Sequence, residues 1–245
     1  MIEPRGPGRL AVVTGASRGL GATIARFLAG AGFDLLLTAR GAEALEVHAS
    51  GLSGFGTRVR SLAGDVSDRE HRDRLRALVE SEGRLDLLVN NASELGPSPL
   101  PRLSDYPIDE LERVYRVNVV APVAIVQDLL PYLESARGLV VNISSDAAIG
   151  GYLGWGGYGA SKAALDLVSR TLATELRDRG VSVVSVDPGD LRTAMHQSAF
   201  PGEDISDRPL PEITLPFWAW LLHQDPRLVS GSRFRAQADR WEVPA

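Results

Sequence analysis

Three side chains that could handle a proton and a carbonyl oxygen stand close together in this chain. Tyr158 follows Ser145 by thirteen residues, and Lys162 follows Tyr158 by four. Apolar residues then recur at steps of three and four through Leu165 and Leu172, which predicts an amphipathic helix. Tyr158 and Lys162 are therefore expected to lie one turn apart on one face of that helix.

A phenol beside an ammonium group can serve acid–base chemistry. Free tyrosine has a pKa of about 10, which is too high for easy proton exchange at neutral pH. A neighbouring positive charge lowers the pKa of a phenol, so Tyr158 is a candidate general acid or base. Ser145 follows a predicted buried strand, residues 139–143, and its hydroxyl could hold a carbonyl oxygen that gains charge. The alternative is an ordinary surface pair without function, so the rest of the chain must decide.

A glycine-rich loop follows the first predicted strand, residues 10–14. It reads Gly15, Ala16, Ser17, Arg18, Gly19, Leu20, Gly21, and an apolar-periodic helix comes directly after it. Glycines allow the backbone to turn sharply and approach a ligand, and a helix N-terminus offers free N–H groups to phosphate. The order strand, loop, helix therefore predicts a nucleotide site, with a ligand-free glycine turn as the alternative.

The second predicted strand, residues 34–39, ends at an arginine. In a dinucleotide-binding unit this position reads the adenosine ribose, where an acidic residue favours a free 2′-hydroxyl and an arginine favours a 2′-phosphate. Arg40 occupies that position, and Arg18 in the glycine loop adds a second positive group. These residues predict NADP(H) in preference to NAD(H). Two solvated surface arginines are the alternative.

Further candidate residues follow other predicted strands. They are Asp65 and Val66 after the third strand, Asn91, Ala92 and Ser93 after the fourth, and Pro188, Gly189, Leu191 and Thr193 after the sixth. Ligands of open α/β sheets bind outside the carboxyl ends of the strands. All of these residues are thus expected at one edge of the sheet, together with the glycine loop and Ser145.

Strands and helices alternate along the whole chain. This pattern predicts an α/β fold with a three-layer, doubly wound parallel sheet of the Rossmann type, formed by a single domain over residues 1–245. Further strands are expected at 57–63, 85–89, 181–186 and 233–236, and helices at 41–52, 67–82, 105–133 and 212–223. The long helix contains Asn118, whose amide needs partners in an apolar setting, and Pro122, which favours a bend. A hydrogen-bonded core asparagine is the alternative for Asn118.

Composition excludes several classes of function. The chain of 245 residues has no cysteine, so thiol chemistry, disulfides and cysteine metal sites are excluded, and no metal site is expected. Its 26 basic and 31 acidic residues give a net charge of −5, which argues against nucleic acid as a partner. The first residues lack the apolar region of a secretory signal, and no run of 18 apolar residues occurs, so no membrane partner and a cytoplasmic location are expected.

Taken together, these motifs resemble the short-chain dehydrogenases/reductases over nearly the whole chain. Residues 14–21 resemble the cofactor loop of that family, and residues 90–93 resemble its Asn-Asn-Ala-Gly segment, with Ser93 in place of glycine. Asn118, Ser145, Tyr158 and Lys162 are similar to its catalytic tetrad in type, order and spacing. The segment from Pro188 to Thr193 resembles the one that flanks the nicotinamide.

The resemblance implies a role for each residue of the tetrad. Tyr158 would exchange the proton with the substrate oxygen, and Ser145 would orient that oxygen, with Ser144 as an alternative. Lys162 would bind the nicotinamide ribose and lower the pKa of Tyr158. Asn118 would hold a water molecule that links Lys162 to a proton relay.

The function predicted from this resemblance is an NADP(H)-dependent oxidoreductase acting on a carbonyl/alcohol pair. One alternative is a non-catalytic relative that senses the cofactor ratio and binds a protein partner, which the complete tetrad argues against. Another is an isomerase or dehydratase on the same fold, and an enoyl reductase is disfavoured by the Tyr–Lys spacing. The family also implies a homotetramer or homodimer, and small or apolar residues on the helices near 110–130 and 159–176 are expected to form the contacts.

Substrate is expected to meet three segments of the chain. The candidate pocket residues are Glu94, Leu95, Tyr152, Leu153, Trp155, Met195, His196 and Phe200. Most are apolar or aromatic, which favours a substrate with a hydrophobic body. Glu94 and His196 could hold a polar end or face solvent. Residues 190–211 are rich in proline and charge, and we expect them to form a mobile lid.

Overall fold

The computed structural model of the protein describes residues 8–243. The segment 1–7, on which most of the prediction about a secretory signal rests, lies outside the described residues. Seven strands are present in this part of the chain: β1 Leu10–Thr14, β2 Asp34–Ala39, β3 Val59–Ala63, β4 Leu87–Asn90, β5 Leu139–Ile143, β6 Ser182–Asp187 and β7 Arg233–Arg235. The helices are α1 Gly19–Gly30, α2 Ala42–Ser50, α3 Arg69–Glu80, α4 Ile108–Tyr115, α5 Ala121–Ala136, α6 Gly156–Glu175, α7 Ala194–Ala199, α8 Leu215–His223 and α9 Pro226–Val229.

All seven strands pair in parallel in one sheet, which confirms the predicted fold class. The order across the sheet is β3-β2-β1-β4-β5-β6-β7. The first strand, β1, lies inside the sheet; the chain then runs outward through β2 and β3 and crosses back to place β4 beside β1. This reversal between β1 and β4 opens a crevice at the carboxyl ends of the strands, where such sheets bind their ligands.

Alternating strand residues supply two apolar cores, one on each face of the sheet. Val13 and Leu37 point to the first face, where they pack with α1, α2 and α8. Val12 and Leu36, their immediate neighbours, point to the other face and pack with α3, α5 and α6. Strands buried on both faces read as continuous aliphatic runs, which explains why the sequence predicts them within about two residues.

The helices α4 and α5 join into one continuous helix over residues 108–136, interrupted by a π-helical turn at Arg116–Val120. The predicted bend around Asn118 takes the form of this turn, in which one extra residue is inserted into the helix. By length and composition alone the helix could cross a membrane. Part of its apolar surface, including Ile125 and Leu129, packs in the second core, whereas Ile108 and Val120 are exposed.

The structure differs from the sequence prediction in the segment 190–211. Residues Ala194–Ala199 form the helix α7, with Thr193 as its N-cap accepting a 3.2 Å hydrogen bond from the N–H of His196. Ile205 and Leu191 are buried, and the N–H of Arg192 donates to the carbonyl oxygen of Pro209. The segment is thus partly helical and closed on itself at both ends, rather than a loop without apolar anchors. Its mobility remains a prediction.

Candidate active site

The helix α6 carries Tyr158 and Lys162 on its buried face. Tyr158 is 8% exposed and Lys162 is 2% exposed. The Lys162 ammonium donates a 2.8 Å hydrogen bond to the carbonyl oxygen of Ile143, the last residue of β5, and lies 5.5 Å from the centre of the Tyr158 ring. The Lys162 side chain therefore ties α6 to the end of β5.

Ser145 lies just beyond β5, where it caps a short helical turn. Its hydroxyl accepts a hydrogen bond from the N–H of Ala147 at 3.1 Å and donates one to Asp146 at 3.1 Å. The hydroxyl of Ser144, the alternative candidate, is buried and has no hydrogen-bond partner in the structure. Both serines line the same cavity as Tyr158. Of the two, only Ser145 is also a hydrogen-bond partner of Tyr158, which agrees with the spacing argument.

Burial dominates the protonation of this pair. It raises the pKa of Tyr158 to about 12, while hydrogen bonding to Ser93 and Ser145 acts in the opposite direction. Burial lowers the pKa of Lys162 to about 8, although Asp166 raises it. The sequence predicts a lowered pKa for Tyr158, and the structure differs because removal from water disfavours the phenolate more than its neighbours stabilise it.

Asn118 lies in the π-helical turn, where its amide is fully used by protein partners. Its carbonyl oxygen accepts hydrogen bonds from the Ser93 hydroxyl at 3.1 Å and the Glu94 N–H at 2.7 Å. Its amide nitrogen donates to the Glu94 carbonyl at 2.8 Å and the Ser161 hydroxyl at 2.9 Å. Asn118 therefore ties the loop after β4 to α6. The water-holding role that the resemblance implies stays a prediction.

The glycine loop packs closely against the loop after β4 and leads into the N-terminus of α1. A Cβ atom on Gly15 would lie 2.8 Å from the Asn91 amide nitrogen, and one on Gly21 would lie 2.4 Å from the same atom. The helix α1 begins without a side-chain cap and has no acidic residue in its first turn. Its N-terminal N–H groups thus remain available to phosphate oxygens. These features fit a dinucleotide cofactor.

One cavity of about 1050 Å³ gathers the predicted residues. All the catalytic, cofactor and substrate-pocket candidates named from the sequence line it except Asn118, which lies behind its wall. The glycine loop and Arg40 line it together with Asp65, while Tyr158 lines it with the residues predicted to meet substrate. The size and shared lining suit a dinucleotide and a second small molecule side by side. The individual roles stay predictions.

Glu94 lies in this cavity, but its carboxylate faces the predicted cofactor residues. One of its oxygens lies 3.2 Å from Arg40 and 3.2 Å from Arg113, a residue of α4 that sequence reasoning missed. Burial raises the pKa of Asp65, but hydrogen bonds from Ser67 and the charges of Arg40 and Arg113 outweigh it, so the pKa is lowered. Arg40, Arg113, Glu94 and Asp65 therefore lie together at the end of the cavity predicted to bind the adenosine ribose. Glu94 lines the cavity as predicted, but chain position alone did not reveal its ionic partners, and its role toward substrate stays a prediction.

Aromatic rings line the cavity beside Tyr158. The Trp155 ring lies 5.8 Å from the Tyr158 ring and 6.1 Å from that of Phe200, and His196 lies 5.0 Å from Phe200. Burial lowers the pKa of His196, and its Nε2 atom is buried without a hydrogen-bond partner. This wall is apolar except for His196. Leu95 is buried nearby, while Tyr152, Leu153 and Met195 are exposed at the rim.

An ion cluster behind the site was missed by sequence reasoning. Arg233 on β7 donates to Asp166 at 2.9 Å, to the Ser145 carbonyl oxygen at 2.8 Å and to Asp187 at 3.3 Å. It thereby joins β6 and α6 to the serine that follows β5. An isolated arginine in a short strand gave no signal of this, because its partners come from three distant parts of the chain.

The fold and site define a nucleotide-binding oxidoreductase of the Rossmann type. The family model described as short chain dehydrogenase matches residues 9–204. The chain therefore belongs to the short-chain dehydrogenase/reductase family, as the motifs predicted.

Individual relatives agree with this assignment. The chain is 37% identical to L-xylo-3-hexulose reductase of Hypocrea jecorina over 215 residues, covering 79% of this chain and 70% of that protein. It is 39% identical to the rhamnolipid-biosynthesis 3-oxoacyl-[acyl-carrier-protein] reductase of Pseudomonas aeruginosa over 196 residues, covering 77% and 75% respectively. A short-chain dehydrogenase of Shigella flexneri in complex with NADP superposes with a TM-score of 0.87 at 33% identity, covering 95% of this chain and 98% of that one.

Proposed function

We propose that the protein is an NADP(H)-dependent oxidoreductase that interconverts a carbonyl and an alcohol on a mostly apolar small molecule. The observation that carries the proposal is the position of Tyr158, on a cavity wall shared with the glycine loop, next to a buried lysine. When bound, the nicotinamide cofactor supplies or accepts the hydride. The uncapped start of α1, directly after the glycine loop, supports binding of its phosphates.

The residues around the reacting centre suit proton transfer. Burial raises the pKa of Tyr158 to about 12, so the side chain carries its proton at neutral pH but is a weak acid, and donation to a carbonyl oxygen needs a positive charge that stabilises the phenolate. The Ser145 hydroxyl lies on the same wall and would orient that oxygen. Lys162 is held against β5 by its bond to Ile143, and its charge would stabilise the phenolate left after transfer.

The preference for NADP(H) is supported by Arg40 at the end of β2, with Arg18 on the same cavity. A guanidinium group binds phosphate through two parallel hydrogen bonds, which a free ribose hydroxyl does not offer. The Shigella flexneri neighbour is described with NADP, which agrees with this choice.

The aromatic wall supports a substrate with an apolar body. Trp155 and Phe200 offer a surface suited to an aliphatic or aromatic chain rather than to a polyhydroxylated one. Between the two named relatives, the 3-oxoacyl substrate of the Pseudomonas aeruginosa enzyme thus fits this cavity better than a hexulose. Residues 190–211 would close over the bound substrate and exclude water.

Two further parts of the proposal concern assembly and location. The exposed apolar residues Val120 and Leu167 lie on adjoining helical elements and support contacts between copies in a homodimer or homotetramer. A cytoplasmic location is the other part of the proposal.

A panel of ketones, aldehydes, quinones and 3-oxoacyl thioesters, assayed by NADPH and NADH consumption, tests the proposal. We expect turnover of an apolar carbonyl compound, with kcat/KM for NADPH at least about tenfold above that for NADH, which corresponds to about 1.4 kcal/mol. A best substrate that is small and charged would refute the pocket interpretation. Equal use of both cofactors would refute the assignment of Arg40.

A further inference from the structure

The carboxylate of Glu94 is shared between two arginines at the predicted 2′-phosphate end of the cavity. It lies 3.2 Å from Arg40, which follows β2, and 3.2 Å from Arg113 on α4. The Glu94 side chain is 16% exposed, whereas the two arginine side chains are 57% and 53% exposed. One largely buried carboxylate thus holds two cations whose ends reach solvent.

Glu94 itself is firmly placed. Its N–H donates to the Asn118 carbonyl oxygen at 2.7 Å, and its own carbonyl oxygen accepts from the Asn118 amide at 2.8 Å. Its backbone therefore cannot readily turn away from the cavity. Arg40 is free to change partners, because its ion pair with Glu94 is solvent-exposed, and such pairs contribute only about 0–1 kcal/mol.

A 2′-phosphate and Glu94 would compete for the same guanidinium group. A phosphate brings up to two negative charges to Arg40, and the fixed carboxylate of Glu94 repels them over a few ångströms. A dinucleotide with a free 2′-hydroxyl brings no charge to this position. Glu94 should therefore disfavour only the phosphorylated cofactor.

We propose that Glu94 is a specificity-determining residue that limits the affinity for 2′-phosphorylated nucleotides by holding Arg40, while Arg113 moderates this effect by sharing the carboxylate. The inference rests on the proposed function, in which Arg40 binds the 2′-phosphate. Removal of the two neighbours has opposite expected effects. Without the Glu94 charge, Arg40 has no ionic partner there and can bind the 2′-phosphate. Without the Arg113 charge, the Glu94 carboxylate pairs only with Arg40 and holds it more tightly.

Binding of 2′,5′-ADP and 5′-AMP to the purified protein, measured by titration calorimetry, tests this without any substrate. Glu94→Gln should tighten 2′,5′-ADP binding about fivefold and change 5′-AMP binding less than about twofold. Arg113→Gln should weaken 2′,5′-ADP binding more than 5′-AMP binding. The matched control is Glu110→Gln, because Glu110 also pairs with Arg113, at 3.9 Å, but no contact with Arg40 is found for it. It should change both affinities less than about twofold.

The double variant Glu94→Gln/Arg40→Gln separates this inference from the function on which it rests. In the Arg40→Gln background, the Glu94 substitution should lose most of its effect on 2′,5′-ADP. If Glu94→Gln left 2′,5′-ADP binding unchanged or weaker while Arg40→Gln still weakened it, the inference about Glu94 would be wrong but the proposed cofactor preference would stand. If wild type bound both nucleotides equally and Arg40→Gln had no effect, the proposed cofactor preference would fall together with it.

Discussion

Tyr158 illustrates how burial and charge oppose each other at a single residue. Replacement by phenylalanine removes the transferable proton and keeps the ring that packs against Trp155. We expect kcat for an apolar ketone with NADPH to fall at least about 10²-fold, the lower range for general acid–base catalysis, with unchanged thermal stability. Tyr132→Phe, on a half-buried tyrosine of α5, is the matched control. Full activity in Tyr158→Phe would show that the tetrad assignment is wrong.

We predict that the buried, charged Lys162 side chain lowers the free energy of unfolding at neutral pH. Burial lowers its pKa to about 8 from the ordinary 10.5, so the unfolded chain binds more protons than the folded one between these values. Stability therefore rises with pH from about 8 towards 10.5, until the raised pKa of Tyr158 reverses the trend above about 10.

The variant Lys162→Met tests this linkage. It removes the buried charge but also the hydrogen bond to Ile143, so we expect a net gain of about 2 kcal/mol in the free energy of unfolding at pH 7. The gain should shrink towards pH 10, and activity should be lost. Urea unfolding of wild type and Lys162→Met at pH 7 and pH 10 measures the difference in the free energy of unfolding. If Lys162→Met were destabilised equally at both pH values, the buried-charge argument would be wrong.

The sequence predicts single residues that belong to a motif with fixed spacing. It does not predict residues whose partners come close only in the folded protein. Tyr158, Lys162 and the glycines have fixed spacings along the chain. Arg113 and Arg233 have none, because each acts on groups that belong to distant elements. Glu94 was placed in the correct cavity, but its ionic partners could not be read from its neighbours in sequence.

At the scale of the elements, the glycine loop and the loop after β4 are in close contact at the predicted cofactor site. A Cβ atom on Gly21 would lie 2.4 Å from the Gly15 carbonyl oxygen and 2.4 Å from the Asn91 amide nitrogen, which is itself bonded to Thr14 at 2.9 Å. Neither neighbour can move freely. Gly21→Ala must therefore displace backbone.

We expect Gly21→Ala to lower the free energy of unfolding by about 2–3 kcal/mol, as overpacking does, and to weaken NADPH binding. Chemical denaturation and cofactor titration measure the two effects. Gly54→Ala is the matched control, because a Cβ atom there meets nothing within 4 Å. A Gly21→Ala protein as stable as the control would show that the contact is looser than its geometry indicates.

Elements were predictable in proportion to their periodicity. The central strands β1, β4, β5 and β6 are mostly aliphatic and fully buried, and the bounds of all seven strands agree with the prediction within about two residues. The helix α7 was missed because it spans only six residues amid charges and prolines, although Thr193 offered an N-cap signal. The helix α9 is shorter still, and Asp225 before Pro226 was the only local sign of its start.

The whole molecule is predicted to assemble through the face that carries α6. Val120 and Leu167 are each 58% exposed. We expect light scattering at micromolar concentration to give a dimer or tetramer for wild type, and a smaller assembly for Leu167→Glu, since a buried unpaired charge opposes an apolar contact. Val47→Glu, on the exposed side of α2 at 70% exposure, is the control and should leave the mass unchanged. A monomeric wild type would contradict this prediction.

The position of Arg233 has a consequence for the protein during its synthesis. Every residue predicted to bind cofactor or to transfer a proton lies before residue 194, whereas the guanidinium group that ties Ser145 to Asp166 and Asp187 comes forty residues later. When β6 has just left the ribosome, the nascent chain already contains Ser145, Tyr158 and Lys162. The carboxylates of Asp166 and Asp187 do not yet have Arg233 as their ionic partner. We expect catalytic competence to arrive late in translation, when β7 joins the edge of the sheet.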